Sequence, residues 1–261
     1  YFDNKSRYGA LKEPPEGYLK FLDSFRKKEN IGYIVEALKI IDVQCKGKFM
    51  YWSFDNGWYM YCTFGMTGQL SPIEGKHICL TMKLYDDDGN FSKIYFNDSR
   101  HFGTIKFVST EEELKYKLNT LGWDPLSASL TEWMPKLKLE LSTSKKPISQ
   151  ILMDQSIFAG VGNYIRAEAL YTAQISPWKI SNTLSTQEVE TLCKAIINVM
   201  EESYKHQGAT IKTYKTVYGE NGKYSTFFKV YGRKVDAYNN EVIKEKTPEG
   251  RTIHWCPALQ K

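Results

Sequence analysis

Hydrophobic positions over residues 1 to about 130 fall in short runs separated by turn residues, which is a pattern of β-strands, and they alternate with polar positions at His77–Tyr85. The aromatic-rich segments Lys48–Phe54 and Trp58–Phe64 flank Asn56-Gly57, a pair that predicts a type I′ hairpin. Further strands and one short helix are predicted at His77–Tyr85, Ile94–Phe96, Thr104–Val108 and Glu111–Leu121. Several short strands with turn residues between them predict an antiparallel β-sandwich.

The pattern becomes helical after Trp123-Asp124-Pro125. Helices are predicted at Ile148–Phe158, at Tyr164–Ala173 and from Ser185 to about Tyr204, where Ser185 and Glu188 form a capping box. The end of the chain returns to strand character, with Phe227–Tyr231 and Arg251–Trp255 predicted to form a hairpin. We therefore expect an α+β fold with a β-sandwich over residues 1–124, a helical domain over 125–223 and a hairpin over 224–261.

Composition indicates a globular protein, because 42% of the 261 residues are hydrophobic and 25% are charged. No apolar run approaches the length that crosses a bilayer, so a soluble intracellular protein without membrane contact is expected. The five cysteines are scattered without a C-x-x-C pair, which favours buried thiols over disulfides.

Positive charge is concentrated at the end of the chain. From Lys205 onward there are eleven Lys or Arg and five Asp or Glu, which gives a net charge of +6. Since the whole chain carries +5, the remainder carries −1. A basic end on a nearly neutral body indicates a polyanionic partner, although basic surfaces also serve solubility.

The sequence Gly160-Val161-Gly162-Asn163 separates two predicted helices. Two glycines allow the backbone to turn tightly, and Asn163 then stands where the next helix begins. An asparagine and the N–H groups of a helix start can bind an anion. The spacing alone is equally compatible with an ordinary helix–turn–helix corner, because a lone G-x-G is a weak signal.

A longer ordered string resembles a known family. It consists of Leu152-Met153-Asp154-Gln155, Gly160-Val161-Gly162-Asn163, Glu168-Ala169-Leu170 and Ile175-Ser176-Pro177. This string resembles the helix–two-turn–helix signature of the formamidopyrimidine-DNA glycosylase and endonuclease VIII family, and the resemblance extends from about Arg7 to Lys261. It implies a DNA-binding enzyme in which the stretch from Ile151 to Pro177 binds phosphate.

The resemblance implies roles for individual residues. Met66 matches a methionine that enters the base stack, and Arg100 and Phe102 match an arginine and a phenylalanine that fill the same gap. An extruded base leaves such a gap, which an apolar side chain can occupy. For Met66 and Phe102 the alternative is ordinary burial in the core. His101 departs from the family, which usually has a second arginine there.

Three residues match phosphate-binding positions of the family: Lys48, Asn163 and Arg251. For Lys48 the alternative is a solvated charge at the start of a strand, and for Arg251 it is an exposed arginine of the hairpin. Glu168 matches a buried acid that supports the turn and is not catalytic.

The segments Val230-Tyr231-Gly232-Arg233 and Gly250–Pro257 match the family's finger, which usually holds zinc with two C-x-x-C pairs. Here Asp236-Ala237-Tyr238-Asn239 and Cys256-Pro257-Ala258-Leu259 carry one cysteine between them. We therefore expect a zincless finger with no metal and no cofactor, held by packing of Tyr231, Trp255 and Leu259.

The family's nucleophile is an N-terminal proline whose amine attacks the sugar C1′ and then cleaves the strand by β-elimination. This sequence opens with Tyr1-Phe2, so no catalytic residue is visible, and an upstream segment is expected to carry it. Two hypotheses follow: a bifunctional glycosylase/AP lyase for oxidised bases, or a non-catalytic binder of damaged DNA. The expected partner is double-stranded damaged DNA, bound by a monomer in the nucleus, cytoplasm or nucleoid. Analogy with zincless relatives favours oxidised pyrimidines over 8-oxoguanine.

Overall fold

The computed structural model describes residues 15–24, 26–29, 32–35, 38–209 and 222–261, with the backbone alone for 26–29 and 32–35. Residue 1, where the predicted first domain begins, lies outside this set. The described residues form two compact units. One comprises residues 15–118, and the other comprises residues 119–209 and 222–261.

The first unit contains the β-strands that the sequence predicts and several more. Its described elements are α1 (Tyr18–Ser24), β1 (Arg26–Glu29), β2 (Gly32–Val35), β3 (Ile40–Lys46), β4 (Phe49–Phe54), β5 (Tyr59–Thr63), β6 (Gly68–Ser71), β7 (Ile78–Tyr85), β8 (Phe91–Asp98) and β9 (Thr104–Val108), followed by α2 (Glu111–Asn119). The strands at β4, β5, β7 and β9 are confirmed, and β8 is longer than expected.

Two antiparallel sheets form the body of this unit. One has the strand order β3-β4-β5-β9 and the other β6-β8-β7, while β1 pairs with β2. Side chains of both sheets share one buried core, with Trp52, Met60 and Phe107 from the first sheet and Leu80 and Phe96 from the second. Because both inner faces bury their apolar residues together, the predicted antiparallel β-sandwich is confirmed.

The hairpin between β4 and β5 exists, but its turn type differs from the prediction. Only Gly57 has a positive φ, of +80°, and the Gly57 N–H donates to the Phe54 carbonyl. A type I′ turn requires positive φ at both central residues. Asn56 instead keeps a negative φ and accepts the Trp58 N–H with its side chain, so the left-handed position falls on glycine alone.

The second unit is helical and ends in a small hairpin. Its elements are α3 (Leu130–Thr143), α4 (Ile148–Ile151), α5 (Asn163–Thr172), α6 (Thr186–Lys205), β10 (Ile243–Lys246) and β11 (Thr252–Trp255), with 3-10 turns at Ser181–Thr183 and Tyr224–Phe227. The capping box that opens α6 is confirmed, since the Ser185 side chain accepts the Glu188 N–H and the Glu188 side chain accepts the Ser185 N–H. None of the helices in the described ranges is long and apolar enough to cross a membrane.

Two predicted elements of this unit are wrong. The helix predicted at Ile148–Phe158 stops at Ile151, because the Asp154 carboxylate accepts the Ser156 N–H and directs the chain into turns. Phe227–Tyr231 is not a strand, and β11 pairs with β10 instead. The N–H groups of that segment bind a buried carboxylate, described below, rather than a neighbouring strand.

Candidate nucleic-acid interface

A glycine-rich turn delivers the chain to the start of α5. Gly160 has a φ of +90°, which favours glycine, and Gly162 caps the helix in extended conformation. Gln155 holds the turn closed, because its side chain accepts the Gly160 N–H and donates to the Val161 carbonyl. Asn163 is the first helical residue, as predicted. The N-terminal end of a helix carries partial positive charge and N–H groups without helical acceptors, so this position suits an anion.

The Asn163 side chain is fixed from both ends. Its Nδ2 donates to the Thr252 carbonyl at 2.9 Å, and its Oδ1 accepts a hydrogen bond from Arg166 Nη2. Arg166 is fully buried and also donates through Nη1 to Glu249 at 2.9 Å and to the Ser149 carbonyl at 3.2 Å. Burial lowers the pKa of Arg166, and the Glu249 carboxylate opposes this effect.

The turn between β10 and β11 brings Arg251 close to Asn163 at the start of α5. Gly250 has a φ of +77°, and the backbone and hydroxyl of Thr247 both donate to the Arg251 carbonyl. The Arg251 side chain itself is exposed. Since Thr252 is bonded to Asn163, the structure brings together the two residues that the sequence predicted as phosphate ligands in this unit. Their role toward phosphate stays a prediction.

A cluster of three residues that the resemblance singled out lies on the first unit: Met66, Arg100 and Phe102. Met66 is 50% exposed and Phe102 is 54% exposed, so neither is the buried core residue that the alternative interpretation required. The Arg100 guanidinium lies over the Phe102 ring at 4.9 Å. Gly65 has a φ of +59°, and a Cβ built on it would lie 2.9 Å from Phe102 Cβ. The two loops are therefore in direct contact.

Asp98, at the end of β8, holds these loops together. It is fully buried and accepts the Thr67 hydroxyl from the first loop and the N–H groups of Arg100 and Gly103 from the second. Burial by itself raises the pKa of the Asp98 carboxyl. The hydrogen bonds from Thr67 and the second loop outweigh that effect, so the pKa lies below its ordinary value. An ionised carboxylate thus orients both loops without contacting the exposed side chains.

His101 occupies the position where the family has a second arginine. Its φ is +55°, in the left-handed region, and its Nδ1 lies 3.5 Å from the buried Cys79 Sγ. The imidazole is therefore anchored to the sandwich beside the exposed loop rather than extended as a long cation would be.

Lys48 lies on a different turn. Lys46 pairs with Phe49, so Gly47 and Lys48 form the two-residue connection between β3 and β4. Gly47 has a φ of +57°, and Lys48 is exposed. Lys48 was predicted to open a strand, but it stands in the turn just before one. Its predicted phosphate contact stays a prediction.

Helix α5 anchors the C-terminal hairpin at several points. Glu168 is 1% exposed, and its carboxylate accepts the N–H groups of Lys229, Val230 and Tyr231 at 2.8–3.0 Å. These three bonds replace the strand pairing that the sequence predicted for this segment. Glu168 is therefore a buried supporting acid, as the resemblance implied.

Apolar packing completes this attachment. Ala167 and Tyr171 of α5 share a buried cluster with Val230, Ile253 and Cys256. The expected packing of the finger is confirmed, since three side chains lie partly buried against this cluster: Tyr231, Trp255 and Leu259.

The residues at the family's zinc positions do not fit a zinc ion. The four positions are Asp236, Asn239, Cys256 and Leu259. A structural zinc site needs four ligands in tetrahedral geometry, and only one of these side chains is a thiol. Leu259 packs as an apolar residue, and Cys256 Sγ lies 3.6 Å from the Asp236 carboxylate. Across residues 15–209 and 222–261, as far as they are described, no three His, Cys, Asp or Glu side chains form a metal-binding group.

Hydrogen bonds occupy the Asp236 carboxylate instead. Its donors are the Tyr171 hydroxyl, the Tyr238 N–H, the Asn240 N–H and the Asn240 side-chain amide. Burial alone raises the pKa of Asp236, but the bonds from Asn240, Tyr238 and Tyr171 lower it to about 2. A buried, ionised carboxylate thus joins the turn at residues 236–240 to α5.

Elemental analysis tests this arrangement directly. Purified protein is expected to contain no stoichiometric zinc, and a chelator should leave its thermal unfolding and its DNA affinity unchanged. A zinc-containing relative that loses binding under the same chelator is the control. One zinc per chain would contradict the assignment of these residues.

Acid sensitivity tests the Asp236 network. Its folded pKa of about 2 lies below the ordinary value of 3.8, so its stabilisation is complete above about pH 4 and is lost as the pH falls toward 2. Asp236→Asn should be less stable than the parent at neutral pH and should lose less stability on acidification. Urea unfolding at several pH values measures both effects. Asp87→Asn is the control, because Asp87 is exposed in the turn between β7 and β8, and its stability should depend on pH as that of the parent does. If the stability of Asp236→Asn falls with pH in parallel with that of the parent, Asp236 does not have this role.

Comparison with known proteins identifies the chain. The formamidopyrimidine-DNA glycosylase N-terminal domain matches residues 21–105, and the formamidopyrimidine-DNA glycosylase H2TH domain matches residues 121–215. These two matches place the chain among the DNA glycosylases of base excision repair. The formamidopyrimidine-DNA glycosylase of Lactiplantibacillus plantarum is 32% identical over 248 residues, covering 92% of this chain and 86% of that protein. The chain belongs to the formamidopyrimidine-DNA glycosylase family.

Solved structures agree with this assignment. The MutM (Fpg) protein of Thermus thermophilus superposes with a TM-score of 0.76 at 28% identity, covering 87% of this chain and 84% of that one. Lactococcus lactis Fpg in complex with abasic-site DNA gives the same TM-score, identity and coverage. Its complex with DNA containing an oxidised pyrimidine gives a TM-score of 0.75 at 26% identity, with the same coverage.

Sequence reasoning missed four residues that organise these sites: Asp98, Arg166, Asp236 and Glu249. Arg166 offered a signal, because a charged residue three positions after Asn163 stands between the apolar residues Ile165 and Ala167. Asp98 opens the loop motif that carries Arg100 and Phe102, but the motif assigned it no role. Glu249 offered no signal, since an acidic residue in a loop is ordinarily a solvated one.

Proposed function

We propose that this protein is a bifunctional DNA glycosylase/AP lyase that binds damaged duplex DNA, extrudes an oxidised base and cleaves the strand. The observation that carries the proposal is the pair of loops at Met66 and Phe102. Two large apolar side chains stand half exposed on loops that the buried Asp98 holds in place. Exposed apolar groups on a fixed scaffold are typical of a binding surface.

In the proposed binding step, each of the candidate DNA-binding side chains has one role. Met66 and Phe102 enter the gap that the extruded base leaves, and the Arg100 guanidinium donates hydrogen bonds to the orphaned partner base. Asn163, Arg251 and Lys48 bind backbone phosphates, which fixes the register of the protein on the duplex. Such contacts carry most of the affinity and make it fall with salt.

The proposed chemical step follows the family. The secondary amine of an N-terminal proline attacks C1′, and the base departs with the glycosidic electron pair and takes up the proton that the amine loses. The nitrogen lone pair then expels O4′, which is protonated as the sugar ring opens, and C1′ is left as an iminium. Loss of a proton from C2′ then expels the 3′ phosphate by β-elimination. The reference pKa of a terminal amine, about 7.7–8.0, leaves part of it unprotonated near neutral pH.

We expect the protein to act as a monomer, inside the cell and with DNA, with a finger that needs no zinc. Oxidised pyrimidines are proposed as preferred over 8-oxoguanine. A panel of duplexes, each carrying one lesion, would measure this preference through single-turnover excision rates.

Borohydride trapping tests the function. The full-length encoded protein should form a covalent adduct with a lesion duplex, because borohydride reduces the iminium to a stable amine. An undamaged duplex is the control and should give no adduct. The second hypothesis, a non-catalytic binder of damaged DNA, predicts tight binding to abasic-site duplex without any adduct, and that result would replace the proposed function.

A further inference from the structure

We propose that Arg166 and Glu249 are positioning residues that lock the finger turn onto the start of α5 and thereby set the distance between Asn163 and Arg251. This inference rests on the proposed function, because it assumes that those two residues bind DNA phosphates. Neither Arg166 nor Glu249 is among the residues that the family resemblance pointed to.

The geometry of the pair supports a lock. The Arg166 side chain is fully buried, whereas that of Glu249 is 23% exposed, and their charged groups meet at 2.9 Å. Arg166 belongs to α5 and lies three residues after Asn163. Glu249 belongs to the turn that ends at Arg251, two residues later. One ion pair therefore joins the two elements that carry the two phosphate ligands.

A second contact, through the Asn163 side chain, also joins α5 to the finger. The Asn163 amide donates to the Thr252 carbonyl, and its oxygen accepts from Arg166. Asn163 is thus held by the guanidinium on one side and by the finger strand on the other. Since Asn163 Nδ2 has two hydrogens, one is used by Thr252 and the other can reach a phosphate.

Stability alone is a poor reason for this arrangement. A buried ion pair loses hydration on both charges and is often no more stabilising than apolar residues of similar size. The Arg166 Nε is, in addition, buried without a hydrogen-bond partner among the described residues. The positive charge of Arg251 lies close enough to lower the pKa of Arg166 further, after the larger effect of burial. A positioning role explains why two like charges are kept together beside one carboxylate.

Glu249→Gln tests the inference, because it removes one charge at constant size from a partly exposed position. Removing a negative charge near DNA should by itself strengthen binding. The lock predicts the opposite, an affinity for abasic-site duplex about 3–10-fold weaker. It also predicts a shallower dependence of log Kd on log salt, with a slope reduced by about 1, as expected when one phosphate contact is lost. Glu241→Gln is the control, since it makes the same charge change at an exposed residue of the finger.

Two comparisons separate positioning from general destabilisation. Arg251→Ala alone should weaken binding about 10-fold. Adding Glu249→Gln to Arg251→Ala should then weaken it little further, because both changes remove the same contact. Thermal unfolding of each variant shows whether the fold persists.

The outcomes distinguish the inference from the function on which it rests. If the parent protein does not bind abasic-site duplex, the proposed function fails. If the parent binds and Arg251→Ala weakens it, but Glu249→Gln binds as tightly as the parent with an unchanged salt slope, the lock is wrong. Additive effects in the double variant would also overturn it.

Discussion

Replacing Glu168 with alanine is expected to lower the free energy of unfolding of the second unit by about 3–5 kcal/mol. The carboxylate accepts three backbone N–H groups, from Lys229, Val230 and Tyr231. Val230 is completely buried, so water cannot replace the lost acceptor there. Each unsatisfied buried donor costs about 1–3 kcal/mol, and the truncation leaves a cavity as well.

Chemical denaturation of the purified protein measures this loss. The free energy of unfolding of Glu168→Gln should fall between those of Glu168→Ala and the parent. The single amide oxygen of the glutamine can accept some of the three N–H groups, while its NH2 group faces the others. Glu140→Ala is a matched control, since Glu140 is an exposed helical residue of the same unit, and its effect should stay within about 0.5 kcal/mol. A Glu168→Ala loss as small as that of Glu140→Ala would show that the three bonds do not hold the segment.

Replacing Asp98 with alanine is expected to slow lesion excision by about 10–100-fold while leaving the affinity for undamaged duplex nearly unchanged. The carboxylate joins the loop that carries Met66 to the loop that carries Phe102. Without it, both loops lose their common acceptor, and the half-exposed side chains lose their fixed positions. Small displacements of positioning groups reduce rates strongly, whereas phosphate contacts that carry general affinity are untouched.

Single-turnover excision by the full-length protein, compared with binding to an undamaged duplex, separates these effects. Met66→Ala should reproduce the rate loss without disturbing the fold. Because Asp98 is fully buried and Asp98→Ala could unfold the first unit, Thr67 offers a milder pair. Thr67→Ser keeps the hydroxyl and should behave as the parent, whereas Thr67→Val removes it and should slow excision. Equal excision rates for Asp98→Ala and the parent would refute the role.

Local patterns accounted for much of the secondary structure. Aromatic-rich segments on either side of Asn56-Gly57 located β4 and β5, alternation located β7, and the Ser185 capping box located the start of α6. These elements are determined by neighbouring residues, either through strand periodicity or through side-chain bonds to the first helical turn. The errors fall where a distant partner decides. Phe227–Tyr231 has strand residues, but Glu168 takes the N–H groups that a sheet would use.

By itself the sequence determined the family, the β-sandwich and helical architecture, and the candidate DNA-binding residues, because all of these depend on ordered motifs and periodicity. The tertiary structure alone decided how those residues are held. It brought Asp98 between two loops, Arg166 against Glu249, and Asp236 against Tyr171. Each of these contacts joins segments that are far apart in the chain. Burial turns their charged side chains into fixed anchors, since a buried charge is stable only where its partners surround it.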